Sequence, residues 1–204
     1  MAREPAFDAD EAKARADARR ALRARLIERR LAVSPSAHAL FSSRISDSLQ
    51  AHFPELEERR VAFYWPMKNE PDLRPLLRRW TQRNRPGFMA LLPVVKERGS
   101  ALVFRKWTPD APMATDAFGL AVPDENAAAA SPEALLIPVN AFDAAGYRLG
   151  YGGGFFDRTL AQLEPPPLAI GVGFEMARVD SIDPATHDRR LNAAVTEAGV
   201  YRFG

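Results

Sequence analysis

Four glycines, Gly150, Gly152, Gly153 and Gly154, stand directly before a helical stripe of Phe156, Leu160 and Leu163, and no other segment restricts the fold as much. Glycine adopts positive φ without steric cost and lets a ligand come close to the backbone. A run of N–H groups in such a turn, continued by the first amides of a helix, forms a cradle for anions. Arg148 before the turn and Arg158 after it can add charge-assisted contacts to phosphate oxygens. Asp157, early in the helix, is a hard oxygen ligand of the type magnesium uses beside phosphates. No Gly-Lys-Ser/Thr follows, so the turn is not a P-loop. Its Gly-x-Gly-Gly-Gly spacing, with Arg148 interrupting the strand that should lead into it, is not a dinucleotide fingerprint either. A flexible surface turn is the plain alternative; the flanking arginines and phenylalanines favour a ligand-binding loop.

Around this turn the apolar pattern alternates between strand and helix. Runs at 61–65 (stopped by Pro66), 88–92 (closed by Pro93), 134–139 and 168–174 predict buried strands, and 101–107 an edge strand. A helix is predicted from Asp17, carrying Leu22 and Leu26 with Ile27 and Leu31 beside them. Ser34 and Pro35 suit the N-cap and first residue of a second, with Ala37, Phe41, Ile45 and Leu49 on one stripe. A third spans 72–85 with Leu73, Leu76, Leu77 and Trp80, whereas 116–126 reads as irregular. The alternation predicts an α/β fold, a mostly parallel central sheet with helices on both faces, a Rossmann-like layered sandwich. Residues 1–16 read as a mobile leader or frayed helix start, and 17–204 as a single domain, since 204 residues at 47% hydrophobic supply one ordinary core.

Composition removes several functions. With no cysteine, disulfide frameworks, zinc–thiolate sites and cysteine nucleophiles are excluded. His38, His52 and His187 offer no histidine metal cluster. The first twenty residues carry no apolar run for a signal peptide, and Glu4, Asp8, Asp10 and Glu11 are unlike a mitochondrial transit peptide. No stretch is long and apolar enough for a membrane span, so the cytoplasm is the expected location. Arginines gather at 15–30 and at Arg78, Arg79, Arg83 and Arg85, but the net charge is only +2. A solvated helix face is the preferred reading of these clusters over a nucleic-acid surface, and no aromatic residue falls among 15–30 to stack on bases.

The string Arg148-Leu-Gly-Tyr-Gly-Gly-Gly-Phe-Phe-Asp-Arg158 resembles the signature of the 5-formyltetrahydrofolate cyclo-ligases, also called methenyltetrahydrofolate synthetases. The resemblance runs from about Arg19 to the C-terminus, with separate motifs in the family's order. Arg19-Arg-Ala-Leu-Arg23 stands where the family carries a lysine-x-x-leucine-arginine pattern that contacts ATP. Trp65-Pro-Met-Lys-Asn-Glu70-Pro-Asp-Leu73 is similar to its stretch after the first strand, with Leu73 in place of threonine. The segment His187-Asp188 through Thr196-Glu197 resembles its ending, with Asn192 where an aspartate helps to hold Mg²⁺. Val122 stands before Pro123 where a glutamate is usual.

That resemblance implies an ATP-dependent conversion of 5-formyltetrahydrofolate to 5,10-methenyltetrahydrofolate, with Mg²⁺ as cofactor, and a monomer needing neither nucleic acid nor membrane. It implies an ATP site of Arg19, Arg23, Arg148, Gly150, Gly152, Gly153, Gly154, Phe155 and Phe156. It places folate on Trp65, Glu70, Tyr151 and 152–155, the metal on Asp157 and Asn192, and catalysis on Arg148 and Asp157. Residue chemistry agrees for two of these: a carboxylate such as Glu70 can pair with the amino-pyrimidine edge of a pterin, and the Trp65 indole can pack on its ring. Read alone, Glu70 suits a helix N-terminus, Trp65 the core, and His187 a structural hydrogen bond. Asp188 is a second carboxylate near Asn192 that could take its place. Two other readings stay open: a folate- or nucleotide-binding paralogue without ligase activity, motivated by Leu73, Val122 and Asn192, and a nucleic-acid binder using the arginine-rich helix.

Overall fold

The structure, a computed structural model, describes residues 9–116 and 118–204. Helix α1 (Ala9–Leu31) opens with Asp10 and Glu11 in its first turn and ends with Arg29 and Arg30 in its last, charges that oppose the helix dipole at both ends. It therefore starts eight residues before Asp17, and the part of the expected leader that is described, 9–16, is helical. Residues 1–8 of that leader lie outside the described residues. Helix α2 (Pro35–His52) begins as its cap predicts, with Ser34 Oγ accepting from the Ala37 amide.

Strand β1 (Arg60–Ala62) leads through a turn to α3 (Arg74–Arg83), then β2 (Met89–Val94) and β3 (Val103–Lys106). Asp72 lies outside α3 and receives the Arg74 amide on Oδ1, so it caps the helix it was expected to begin. Pro93 lies inside β2 rather than closing it. The parallel ladder from β1 has already ended at Leu91, and no N–H is asked of Pro93 on that side. A hairpin of β4 (Met113–Thr115) and β5 (Ala121–Pro123) occupies part of the stretch expected to be irregular. Then follow β6 (Ala134–Pro138), a small hairpin of β7 (Ala141–Phe142) and β8 (Arg148–Leu149), and the glycine turn into α4 (Phe155–Gln162). Strands β9 (Leu168–Val172), β10 (Ala193–Val195) and β11 (Val200–Arg202) finish the chain.

The seven-stranded sheet has the order β11-β10-β9-β6-β1-β2-β3. Its four inner pairings are parallel, and β3 and β11 add antiparallel edges. Side chains alternate across it. Val61, Leu92, Leu136, Ile170 and Val195 pack with Ile45 and Leu49 of α2 and Leu76, Leu77 and Trp80 of α3. Ala62, Leu91, Leu135, Ala169 and Ala194 face the opposite way, against Phe142 and the α4 residues Phe156 and Leu160. Burial of both faces is what a parallel sheet requires, and it is why these strands read as continuous apolar runs. The sheet and its flanking helices are the mostly parallel α/β fold that the sequence predicts. Helix α1 packs separately, with Leu22 and Leu26 on Leu149 of β8 and on Ile182, and this sets one arginine-bearing face over the strand ends.

Candidate active site

The chain leaves β1 toward β2 on one side and β6 toward β9 on the other, so the sheet's switch point lies between β1 and β6. In open α/β sheets ligands bind outside the carboxyl ends of the strands at such a point. A cleft of about 770 Å³ opens there, walled by residues after β1 (Tyr64, Trp65, Glu70), after β2 (Val95) and at the end of β6 (Pro138), with α1 and the 185–188 loop above.

The glycine turn forms one wall. Gly152 (φ 92°) and Gly154 (φ 65°) hold left-handed conformations, which turn the backbone from β8 into the first amides of α4. Arg23 reaches across from α1 and donates Nε–H to the Gly150 carbonyl at 2.6 Å, tying the turn to the helix. Crowding by Arg19 and Arg20 adds to burial in lowering the pKa of Arg23. Arg148, buried at the end of the hairpin, donates to Asp157 Oδ1 at 2.8 Å and to the Arg189 carbonyl at 2.6 Å. Burial lowers the Arg148 pKa, and Asp157, then Asp188, oppose that shift. Asp157 Oδ1 also receives the Arg189 amide, which leaves Oδ2 without a hydrogen bond among the described residues. Arg158 turns back onto the Gly153 carbonyl and lies over the Phe155 ring, 5.3 Å from its centroid.

The opposite wall is apolar around one buried carboxylate. Glu70 Oε2 accepts the Met67 amide at 3.0 Å, and Oε1 accepts the Tyr151 hydroxyl at 2.7 Å. Burial raises the Glu70 pKa; the Met67 amide, the Tyr151 hydroxyl, Arg30 and Lys68 pull it back. Trp65 is half-buried against the core, with the Arg74 guanidinium 4.8 Å above its ring. Phe118, half-exposed in the β4–β5 connection, meets the edge of Phe155 at 5.9 Å. Leu73 is fully buried as a core residue, and Val122 is buried at the cleft wall.

The run 150–157 lines this cleft together with Arg19, Arg23, Trp65, Glu70 and Arg148, so the residues expected to meet nucleotide and folate share one cavity. Asn192 does not. Its Oδ1 accepts the Ala169 amide at 2.7 Å, and its own amide donates to the Ala169 carbonyl at 2.8 Å. It therefore continues the β9–β10 pairing at the amino ends of those strands, away from the cleft, and the expectation of Asn192 as a metal ligand is corrected. Asp188 stands at the cleft instead, bonded to Arg19 Nη1 at 2.7 Å and to the Ala185 amide. His187 is exposed and 3.9 Å from Asp188. Nor is the arginine-rich helix a simple solvated face. Arg15 pairs with Asp183, Arg19 with Asp188, Arg23 with Gly150, and Arg30 with Asn140 and Tyr151. The positions 15, 19, 23 and 30 share one helical face by their spacing, a signal available in the sequence.

A glycine turn, a helix N-terminus, inward arginines and a carboxylate beside an apolar wall meet at the strand ends of a parallel sheet, which makes this an α/β protein with a cleft chemically suited to a phosphate-bearing ligand beside an apolar one. Within that class the chain belongs to the 5-formyltetrahydrofolate cyclo-ligase family, whose sequence model matches residues 15–197. It is 30% identical to the 5-formyltetrahydrofolate cyclo-ligase of Haemophilus influenzae, over 73% of this chain and 83% of that protein. It is 26% identical to the Escherichia coli K12 enzyme of the same name, over 86% and 98%. Its fold resembles Aquifex aeolicus 5,10-methenyltetrahydrofolate synthetase with a TM-score of 0.76 and 25% identity, covering 90% of this chain and 92% of the other. The Mycoplasma pneumoniae 5,10-methenyltetrahydrofolate synthetase shares the fold at a TM-score of 0.69.

Proposed function

We propose that this chain acts as its family does, consuming ATP to convert 5-formyltetrahydrofolate into 5,10-methenyltetrahydrofolate. The N5-formyl group is an amide whose oxygen leaves poorly. Transfer of the ATP γ-phosphoryl to that oxygen, with ADP departing, turns it into a phosphate leaving group. The N10 lone pair then forms a bond to the formyl carbon, the carbon–oxygen bond breaks to release phosphate, and the N10 proton is lost. This chemistry asks a protein for alignment and charge neutralisation rather than a nucleophile. The observation that carries the reading is that the 148–157 run, with Arg148, four glycines and Asp157, lines the same cleft as Glu70 and Trp65.

On this reading Arg23, Arg148 and the loop amides bind the triphosphate, and Arg19 adds charge at its outer end. Glu70 takes the amino-pyrimidine edge of the pterin, while Trp65 and Phe155 supply apolar contact. Magnesium at such sites keeps one or two protein carboxylates and takes its remaining ligands from phosphates and water. Asp157 Oδ2 fits that role, and Asp188, also at the cleft, is a further candidate carboxylate. No group of three or more His, Cys, Asp or Glu side chains among the described residues could hold a metal without the nucleotide. When bound, the ion neutralises charge developing on the phosphate oxygens. Helix α1 makes its arginines into site residues, which favours a ligase working alone over a nucleic-acid binder, and no helix among the described residues is long and apolar enough to cross a membrane. A monomer acting in the cytoplasm is the corresponding proposal. The test is to mix the protein with 5-formyltetrahydrofolate and MgATP and follow methenyl-product absorbance. ATP-dependent product is expected; folate binding without product or ATP turnover would mark a binding paralogue.

A further inference from the structure

Arg30 lies behind the cleft rather than in its lining, in the last turn of α1, and is buried. Each of its three guanidinium nitrogens donates one hydrogen bond. Nε donates to the Lys68 carbonyl at 2.9 Å, Nη1 to Asn140 Oδ1 at 2.8 Å, and Nη2 to the Tyr151 hydroxyl at 2.7 Å, with Glu70 Oε1 at 3.9 Å. These partners come from three separate pieces of chain: the turn after β1, the start of the β7–β8 hairpin, and the glycine loop. We infer that Arg30 is a positioning residue for folate recognition, clamping Glu70 and the glycine-loop Tyr151 into one hydrogen-bonded unit. The inference rests on the reading above, in which Glu70 receives the pterin edge.

Two further observations support it. The turn that presents Glu70 contains Lys68 (φ 48°) and Asn69 (φ 61°), two successive non-glycine residues in the left-handed region, which asparagine tolerates and lysine rarely adopts. Arg30 holds that turn twice, through Nε on the Lys68 carbonyl and through its own carbonyl, which accepts Asn69 Nδ2–H at 2.9 Å. The hydroxyl of Tyr151 is also oriented. A guanidinium has donors only, so the tyrosine oxygen accepts from Arg30 and its single proton goes to Glu70 Oε1. The Met67 amide and the Tyr151 hydroxyl both favour the Glu70 carboxylate, the form that can receive pterin N–H groups, against the burial that raises its pKa. The other groups facing it are Tyr64, two residues beyond β1, Lys68 from its own turn and, through the Glu70 carbonyl, His38 of α2, with Asp72 next to Tyr64.

The experiment measures 5-formyltetrahydrofolate affinity by calorimetry between about pH 5.5 and 8.5 for wild type, Arg30→Met, Arg30→Lys and Tyr151→Phe. Arg30→Met is expected to weaken binding at least about tenfold at neutral pH, since it removes charged hydrogen bonds from a buried carboxylate's setting. It also shifts the acid-side loss of affinity to higher pH, while ATP affinity stays within about threefold. Arg30→Lys keeps the charge but cannot span three partners, so it restores the pH profile and not the neutral affinity. Tyr151→Phe shows a smaller loss of the same kind. Wild-type folate affinity and pH profile in folded Arg30→Met would overturn the inference. If that variant does not fold, the same result in Tyr151→Phe would do so. Because affinity is measured directly, a wild-type protein that binds folate without turning over contradicts the ligase reading alone, and one that binds no folate contradicts both.

Discussion

Arg148 and Asp157 form an ion pair at the cleft, and on the proposed function each has a separate consequence when removed. Arg148→Ala deletes a preorganised cation from the phosphate end, a loss of about 3 kcal/mol of transition-state stabilisation by comparison with deletion of oxyanion donors. Turnover measured by methenyl absorbance should fall on the order of a hundredfold, with the KM for folate within about threefold. Asp157→Asn keeps the size and a carbonyl oxygen but loses the charge, and should lower turnover while raising the magnesium concentration needed for half-maximal rate. A rate near wild type in either variant would remove that residue from the site. Their presence at the cleft was legible in the sequence because both lie within three residues of the glycine run. Arg30 was not, because its partners Lys68, Asn140 and Tyr151 are distant in the chain and only the fold brings them together. Asn192 misled for the opposite reason: its place in a motif suggested a ligand, whereas its carboxamide completes a strand pairing. Asp188 carries a stability prediction. Burial pushes its carboxyl up, but the Arg19 bond and the Ala185 amide outweigh this and hold its pKa below the ordinary value. A folded pKa below the unfolded one adds stability above the unfolded value, lost as pH falls through the folded value. Asp188→Asn should therefore lower the melting temperature at neutral pH, and the gap to wild type should close as acid protonates the native carboxylate.

The elements that build the site are α1 and the glycine loop. The loop's conformation can be tested at Gly153, where an added Cβ would come 2.8 Å from the Phe155 ring. Gly153→Ala should displace that ring, lowering kcat/KM for folate about tenfold or more while the melting temperature changes little, since the ring lies at the cleft rather than in the core. Unchanged kinetics would mean that Phe155 does not bound the substrate. Helix α1 shows where sequence reading stopped short. Its amphipathic signal from Leu22 and Leu26 is real, but residues 9–16 lack large apolar side chains and read as a leader. They are helical along an ionic edge, with Arg15 on Asp183 and Arg19 on Asp188. The β4–β5 hairpin was missed because its strands are three residues each and β4 is exposed throughout, so no apolar alternation marks it.

For the molecule as a whole, the sheet was legible because strands buried on both faces need apolar residues at every position, and 61–65, 88–92, 134–139 and 168–174 supply them. The three-residue strands β10 and β11 are too short to announce themselves. That sheet gives the central claim its geometry. One switch-point cleft is lined by both the glycine turn and Glu70, and the proposed function uses that proximity to bring the γ-phosphoryl group to the formyl oxygen. The most direct measurement uses 5-formyltetrahydrofolate carrying ¹⁸O in the formyl group, turned over with MgATP, with the released phosphate analysed by mass. The account predicts one labelled oxygen in each phosphate released per methenyl product formed. Product accompanied by unlabelled phosphate would contradict it, because the formyl oxygen would then have left without ever being phosphorylated.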